Sequence, residues 1–230
     1  MTTMSSAARK TPRKKNTYPT SDGRPMAETD WHRELMNALI RTLRHFFLTR
    51  PNVYVSGNLL IFYIPGDRLR HLSPDVFVVK GAPNHDRPNY LVWKEGKAPD
   101  IVIELTSSST RDEDVKDKFM LYQDVLKVRE YFLFDPLADY LKPPLQGYRL
   151  QRGKYRPISF VAGRLPSKVL GLHLEAHGRE LHLHNPRTEM WLLTPDERAA
   201  LAEERASQME GENETLRRQV EELRRRLGEG

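Results

Sequence analysis

The chain has 230 residues, a formal net charge of +6, 38% hydrophobic residues and no cysteine. The absence of cysteine excludes disulfides and thiolate metal sites, and no apolar run approaches the ~18 residues of a membrane span. Residues 1–25 hold six Lys or Arg against the single acid Asp22 and contribute +5 of the net charge, leaving the rest close to neutral.

The basic run at residues 9–15 cannot bury enough apolar area to offset chain entropy, so a disordered tail is expected over 1–25. It serves either as a solubilising extension or as a non-specific phosphate contact acting through counterion release. The N-terminus lacks the apolar stretch of a secretion signal, and a cytoplasmic protein is expected. One main domain is placed at 26–193 and a helical segment at 194–230.

The first periodic segment covers about 29–49, where Leu35, Leu39, Ile40, Leu43, Phe46 and Phe47 recur at helical steps. Thr29 or Asp30 can cap its start, and Pro51 lies just past its end. Runs at 53–55 and 59–64, joined by Ser56-Gly57-Asn58, read as a hairpin. A third strand is expected over 72–79, and a loop over 81–98. The run 101–106 is apolar on both faces, as in a strand inside a sheet, except for Glu104. A helix follows to about Leu126, with Thr110 and Glu113 at capping-box spacing. Next come a strand at 130–135, a hairpin through 151–154, and alternating segments at 172–174 and 181–184. A strand leading through a helix to another strand suggests a parallel pair within a mixed sheet, hence an α/β (α+β) fold with helices flanking a central sheet.

An ionised carboxylate inside an apolar strand is costly unless it is paired, hydrogen-bonded or metal-bound. Glu104 needs one of these, whether a cation, a buried Arg or Lys, or a helix N-terminus. Asp75 follows Pro74 in an apolar run and either starts a turn or meets Glu104 across neighbouring strands. Two oxygen donors completed by waters and a phosphate suit Mg²⁺. Asp114, Lys118 and Tyr122 share one helical face, and Thr106 shares the face of Glu104. Asp100 lies about 13 Å from Glu104 at strand rise, too far to share an ion. Asp112 and Asp114 read as first-turn acids favoured by the helix dipole, and Asp114 can pair with Lys118. His173, His182 and His184 are expected to be exposed strand side chains rather than a zinc site, and Tyr122, Tyr131, Phe132 and Phe134 to be core. His32 and Glu34 are candidates to face the cleft.

Ser73-Pro74-Asp75, then 98–107 with Asp100 and Glu104, then Asp114-Val115-Lys116-Asp117-Lys118 with Tyr122, then 128–136 ending Phe134-Asp135-Pro136, resemble the Uma-two family over roughly residues 30–175. Its members are restriction endonucleases of the PD-(D/E)XK phosphodiesterase superfamily. The resemblance implies a restriction-endonuclease-like core and Mg²⁺- or Mn²⁺-dependent hydrolysis of DNA. Asp75 and Glu104 would be the metal ligands. The superfamily lysine two residues after the glutamate is Thr106 here, and Lys118 on the adjacent helix is its counterpart, ahead of Lys116. The alternative is a catalytically inactive nuclease-like domain that binds nucleic acid or dimerises.

From Pro195 the composition shifts to Ala, Glu, Arg and Leu. A heptad places Ala206, Asn213, Val220 and Leu227 at a, and Ala202, Met209, Leu216 and Leu223 at d. Asn213 at an a position favours a parallel dimer in fixed register, so a homodimer through this helix is expected, with a solvated helical tail as the alternative.

Overall fold

The computed structural model describes residues 18–21, 29–106 and 113–228. The basic run at 9–15, Thr110 and Asp112, and the side chain of Asp114 lie outside the described residues.

Helix α1 (Asp30–Phe46) is capped by Thr29, whose hydroxyl accepts the His32 amide, and it buries Met36, Leu39, Ile40 and Leu43 on one face. Strand β1 (Val53–Ser56) pairs antiparallel not with the next segment but with β4 (Val76–Lys80). The Ser56-Gly57-Asn58 turn therefore does not close the expected hairpin. It carries the chain out of one sheet into another, because the backbone at Gly57 runs against the Pro74–Asp75 main chain. The Asn58 amide donates to the Pro74 carbonyl, and a β-carbon on Gly57 would lie 1.9 Å from the Asp75 carbonyl oxygen.

Strand β2 (Ile61–Phe62) instead pairs with β3 (His71–Leu72) and, in parallel, with β5 (Tyr90–Leu91) inside the stretch expected to be loop. A short helix α2 (Val92–Glu95) follows, ended by Gly96 in the left-handed conformation. Strand β6 (Ile101–Leu105) lies between β4, antiparallel, and β7 (Glu130–Phe134), parallel. The expected parallel pair is thus present. β8 (Leu145–Gln151) and β9 (Lys154–Pro157) extend the sheet, giving the order β1-β4-β6-β7-β8-β9. A second, antiparallel sheet comprises β10 (Leu165–Ser167), β11 (Leu172–His177), β12 (Glu180–Asn185) and β13 (Met190–Trp191).

Both faces of the main sheet are covered, so its central strands are apolar throughout. Ile101, Ile103 and Leu105 join α1 and the second sheet in one core. Val102, Tyr131 and Leu133 join Ile61, Tyr90, Tyr122 and Leu126 in the other. Of the aromatics expected in the core, Tyr122, Tyr131, Phe132 and Phe134 are all fully buried. His184 departs from the sequence reading: it is buried rather than exposed, with the Trp191 ring packed against it at a steep angle, 5.1 Å between centres.

The crossover between β6 and β7 winds not as a simple α-helix but as two π-helical stretches, Glu113–Lys118 and Leu121–Val125. The Leu126 amide reaches the Leu121 carbonyl five residues back, the wider π spacing. Helix α3 (Pro195–Leu227) starts in a capping box between Thr194 and Glu197, and buries none of its residues.

Candidate active site

In the antiparallel register Val76 faces Ile103, so Asp75 stands opposite Glu104 one step further on. Directly opposed residues on one sheet face bring their β-carbons within about 4.5–5.5 Å. The two acids also clasp each other's strands. The Asp75 amide donates to Glu104 Oε2 at 3.2 Å, and the Leu105 amide donates to Asp75 Oδ2 at 2.7 Å. Glu104 is 1% exposed, whereas the Asp75 side chain keeps 17% of its surface open to solvent.

Three further side chains complete the cluster. From the π-helical crossover, the Tyr122 hydroxyl donates to Glu104 Oε1 at 2.7 Å, and the Lys118 ammonium lies 3.3 Å from the same oxygen. Burial holds the Tyr122 phenol well above its ordinary pKa, and the negative charge of Glu104 pushes the same way, so it remains a donor. From the first turn of α1, His32 Nε2 sits 3.2 Å from Asp75 Oδ1. Thr106 is buried on the same face, with its hydroxyl hydrogen-bonded to that of Tyr140.

Asp75, Glu104 and Lys118 are therefore brought together, with Tyr122 and His32 beside them. Lys116 is exposed. Glu34 lines a separate groove between α1 and β12, with an internal volume of about 310 Å³. Asp100 does something else: it accepts the Lys80 amide and pairs with Lys97 and Arg129 at the opposite end of β6. Tyr122 reads from the sequence as a core residue on the helical face of Lys118, and that spacing of four is the signal for its contact with the acid.

The other buried glutamate shows what a structural carboxylate looks like here. Glu130 receives the Arg149 guanidinium, the Ser167 hydroxyl and the Lys168 and Val169 amides, which tie the two sheets together. Asp75 and Glu104 differ because they face each other. Their two negative charges are met by the Lys118 ammonium and, when protonated, by His32. A hard divalent cation fits that charge and that oxygen-rich donor pair. Among the described residues no three His, Cys, Asp or Glu side chains converge as a closed metal cage. Waters and main-chain oxygens would complete the shell, as Mg²⁺ commonly requires.

A mixed sheet that sets an aspartate opposite a glutamate, with a lysine from the covering crossover, is of restriction-endonuclease-like type. The chain belongs to the Uma2 (Uma-two) family, described as "Putative restriction endonuclease", whose profile matches residues 8–183. Comparison with solved structures finds a similar chain in the crystal structure of a "putative nuclease belonging to DUF820" from Anabaena variabilis ATCC 29413. It is 16% identical, with a TM-score of 0.48 over 64% of this chain and 79% of that one. Comparison with curated proteins finds no match. Among the described residues no helix is long and apolar enough to cross a membrane.

Proposed function

We propose that the protein is a metal-dependent endonuclease that hydrolyses phosphodiester bonds in DNA, with Asp75 and Glu104 holding Mg²⁺ or Mn²⁺ and Lys118 as the catalytic amine. The observation that carries this reading is the opposition of Asp75 and Glu104 across β4 and β6. When bound, the ion supplies Lewis-acid polarisation of the phosphate and a more acidic water.

The remaining chemistry belongs to the chain. The Leu105 amide fixes the rotamer of Asp75, and the Tyr122 hydroxyl fixes that of Glu104, so neither acid reorganises when substrate arrives. Lys118 replaces the lysine that Thr106 cannot supply. Its ammonium, 3.3 Å from Glu104 Oε1, would stabilise negative charge developing on a phosphate oxygen held at the two acids. His32 holds Asp75 from the side of α1.

The helix α3 is read as the dimerising element. Met209, Leu216, Val220 and Leu223 leave an apolar seam exposed, and pairing two chains would place two sites on one duplex. The test of function is plasmid nicking by the full chain with Mg²⁺ or Mn²⁺, beside Asp75→Ala and Glu104→Ala. Wild-type nicking that both substitutions abolish is expected. Cleavage that survives in both would remove this site. Absence of cleavage in every sample would favour a nuclease-like binding module.

A further inference from the structure

Between β2 and β3 the chain makes an excursion, residues 63–70, that ends in the sequence Ile64-Pro65-Gly66-Asp67-Arg68-Leu69-Arg70. Leu69 is 88% exposed and Ile64 is 41% exposed, and Leu69 stands between two arginines. Apolar side chains are normally drawn into a core, so an exposed leucine between guanidinium groups at a ribbon tip needs a reason.

The place of this ribbon in the fold supplies one. Ile61, Leu72 and Tyr90 of its small sheet pack into the same core as Tyr122, on the sheet face that carries Glu104. Leu72 is followed directly by Ser73-Pro74-Asp75. Six residues separate Leu69 from Asp75, so the tip lies within about 20 Å of the acid, less than one turn of a DNA duplex at about 34 Å.

The N-terminal segment is strapped to the same ribbon. The Tyr18 hydroxyl accepts the Gly66 amide, its ring packs on Phe62 and Trp93, and the Asn89 side chain donates to the Tyr18 and Pro19 carbonyls. The guanidinium of Arg68 lies 6.0 Å from the Tyr18 ring centre.

We infer that the loop of the β2–β3 ribbon, residues 63–70, is the duplex-DNA grip of this protein: Leu69 inserts as an apolar wedge, Arg68 and Arg70 contact phosphates, and the strap at Tyr18 holds the loop in place. Minor-groove binders insert apolar wedges between base steps and unstack them, with arginines alongside. The inference rests on the nuclease reading above and names the part of the chain that holds its substrate.

The test is fluorescence anisotropy of the full chain with a labelled 25-base-pair duplex, without divalent ions so that no strand is cut, over a salt series. A second duplex carries 2-aminopurine to report unstacking. Arg68→Ala with Arg70→Ala is expected to reduce the slope of log K against log salt by about 1–2, from roughly 0.9 per phosphate contact. Leu69→Ser is expected to weaken binding about tenfold with the slope unchanged, and to abolish a 2-aminopurine rise seen with the wild type. Melting temperatures of the variants, expected to match the wild type because all three side chains are exposed, exclude misfolding. Wild-type affinity, slope and fluorescence in all variants would overturn the inference while leaving the acidic site untouched. So would loss of self-association, rather than of DNA binding, in Leu69→Ser. Ribbon-dependent binding by a chain that fails to nick plasmid would support the grip and remove the catalytic reading.

Discussion

Replacing Lys118 by Met would remove the ammonium 3.3 Å from a carboxylate that is 99% buried, and the cost can be bounded from both sides. At that distance and an effective dielectric of about 20 the attraction is about 5 kcal/mol, and breaking one side of a buried pair typically costs about 3–5 kcal/mol. Glu104 has an escape: it can take up a proton on folding. A glutamate in the unfolded chain titrates near pH ~4.3, so this costs about 3.7 kcal/mol at pH 7 and about 1 kcal/mol at pH 5. The smaller of the two costs governs. Lys118→Met is therefore expected to lose about 3 kcal/mol at pH 7, roughly 6–12 °C in melting temperature, and about 1 kcal/mol at pH 5. Adding Glu104→Gln to the same chain should return most of the loss at pH 7. Urea titrations at pH 5, 6, 7 and 8 read the effect. A deficit below about 1 kcal/mol at pH 7, or one that does not change with pH, would refute the view that Lys118 neutralises Glu104.

Gly57→Ala would drive a methyl group into the Asp75 carbonyl and should destabilise the protein by about 1–3 kcal/mol. Because the strain falls on Asp75, calorimetric Mn²⁺ affinity should fall as well, unlike in Gly211→Ala on the open surface of α3. The full chain should sediment as a dimer that becomes a monomer when the chain ends at Thr194, and Asn213→Leu should tighten association while loosening its preference for two strands. Burial pushes the phenols of Tyr90 and Tyr155 far above the ordinary value near 10. In the unfolded chain they ionise near pH ~10 while the folded protein keeps both protons. Stability should thus be intact below pH 10 and fall above it by about 1.4 kcal/mol per pH unit for each tyrosine. Tyr155→Phe should remove one such increment from urea titrations between pH 9.5 and 11.

The acid at 104 was legible because a single carboxylate interrupts an otherwise apolar strand, and the strand–helix–strand order foretold the parallel neighbour. Asp75 was legible through the company it keeps along the chain. A meeting with Glu104 across neighbouring strands was an expectation, but the register that sets the two directly opposite was not readable, because pairing between segments some thirty residues apart is decided by packing. The hairpin expected at 53–64 failed for a related reason. Ser-Gly-Asn is a turn signal, but Gly57 is there to let two backbones touch, and close approach leaves no trace in local propensity. β5 and β13 span two residues each, too few for any periodicity to show. His32 was a candidate to face the cleft, with no partner indicated by the sequence. Its contact with Asp75 depends on how α1 crosses the sheet.

The π-helical crossover makes the amine's aim unusually dependent on chain length. Each residue of an α-helix advances the side chains by about 100°. Deleting one residue from 119–121, between Lys118 and Tyr122, would swing the lysine by about that angle relative to the tyrosine and the sheet below. Point substitutions in the same stretch leave the count intact. In descendants of this sequence, a one-residue gap there would disconnect the lysine from the acid even with every neighbouring letter unchanged.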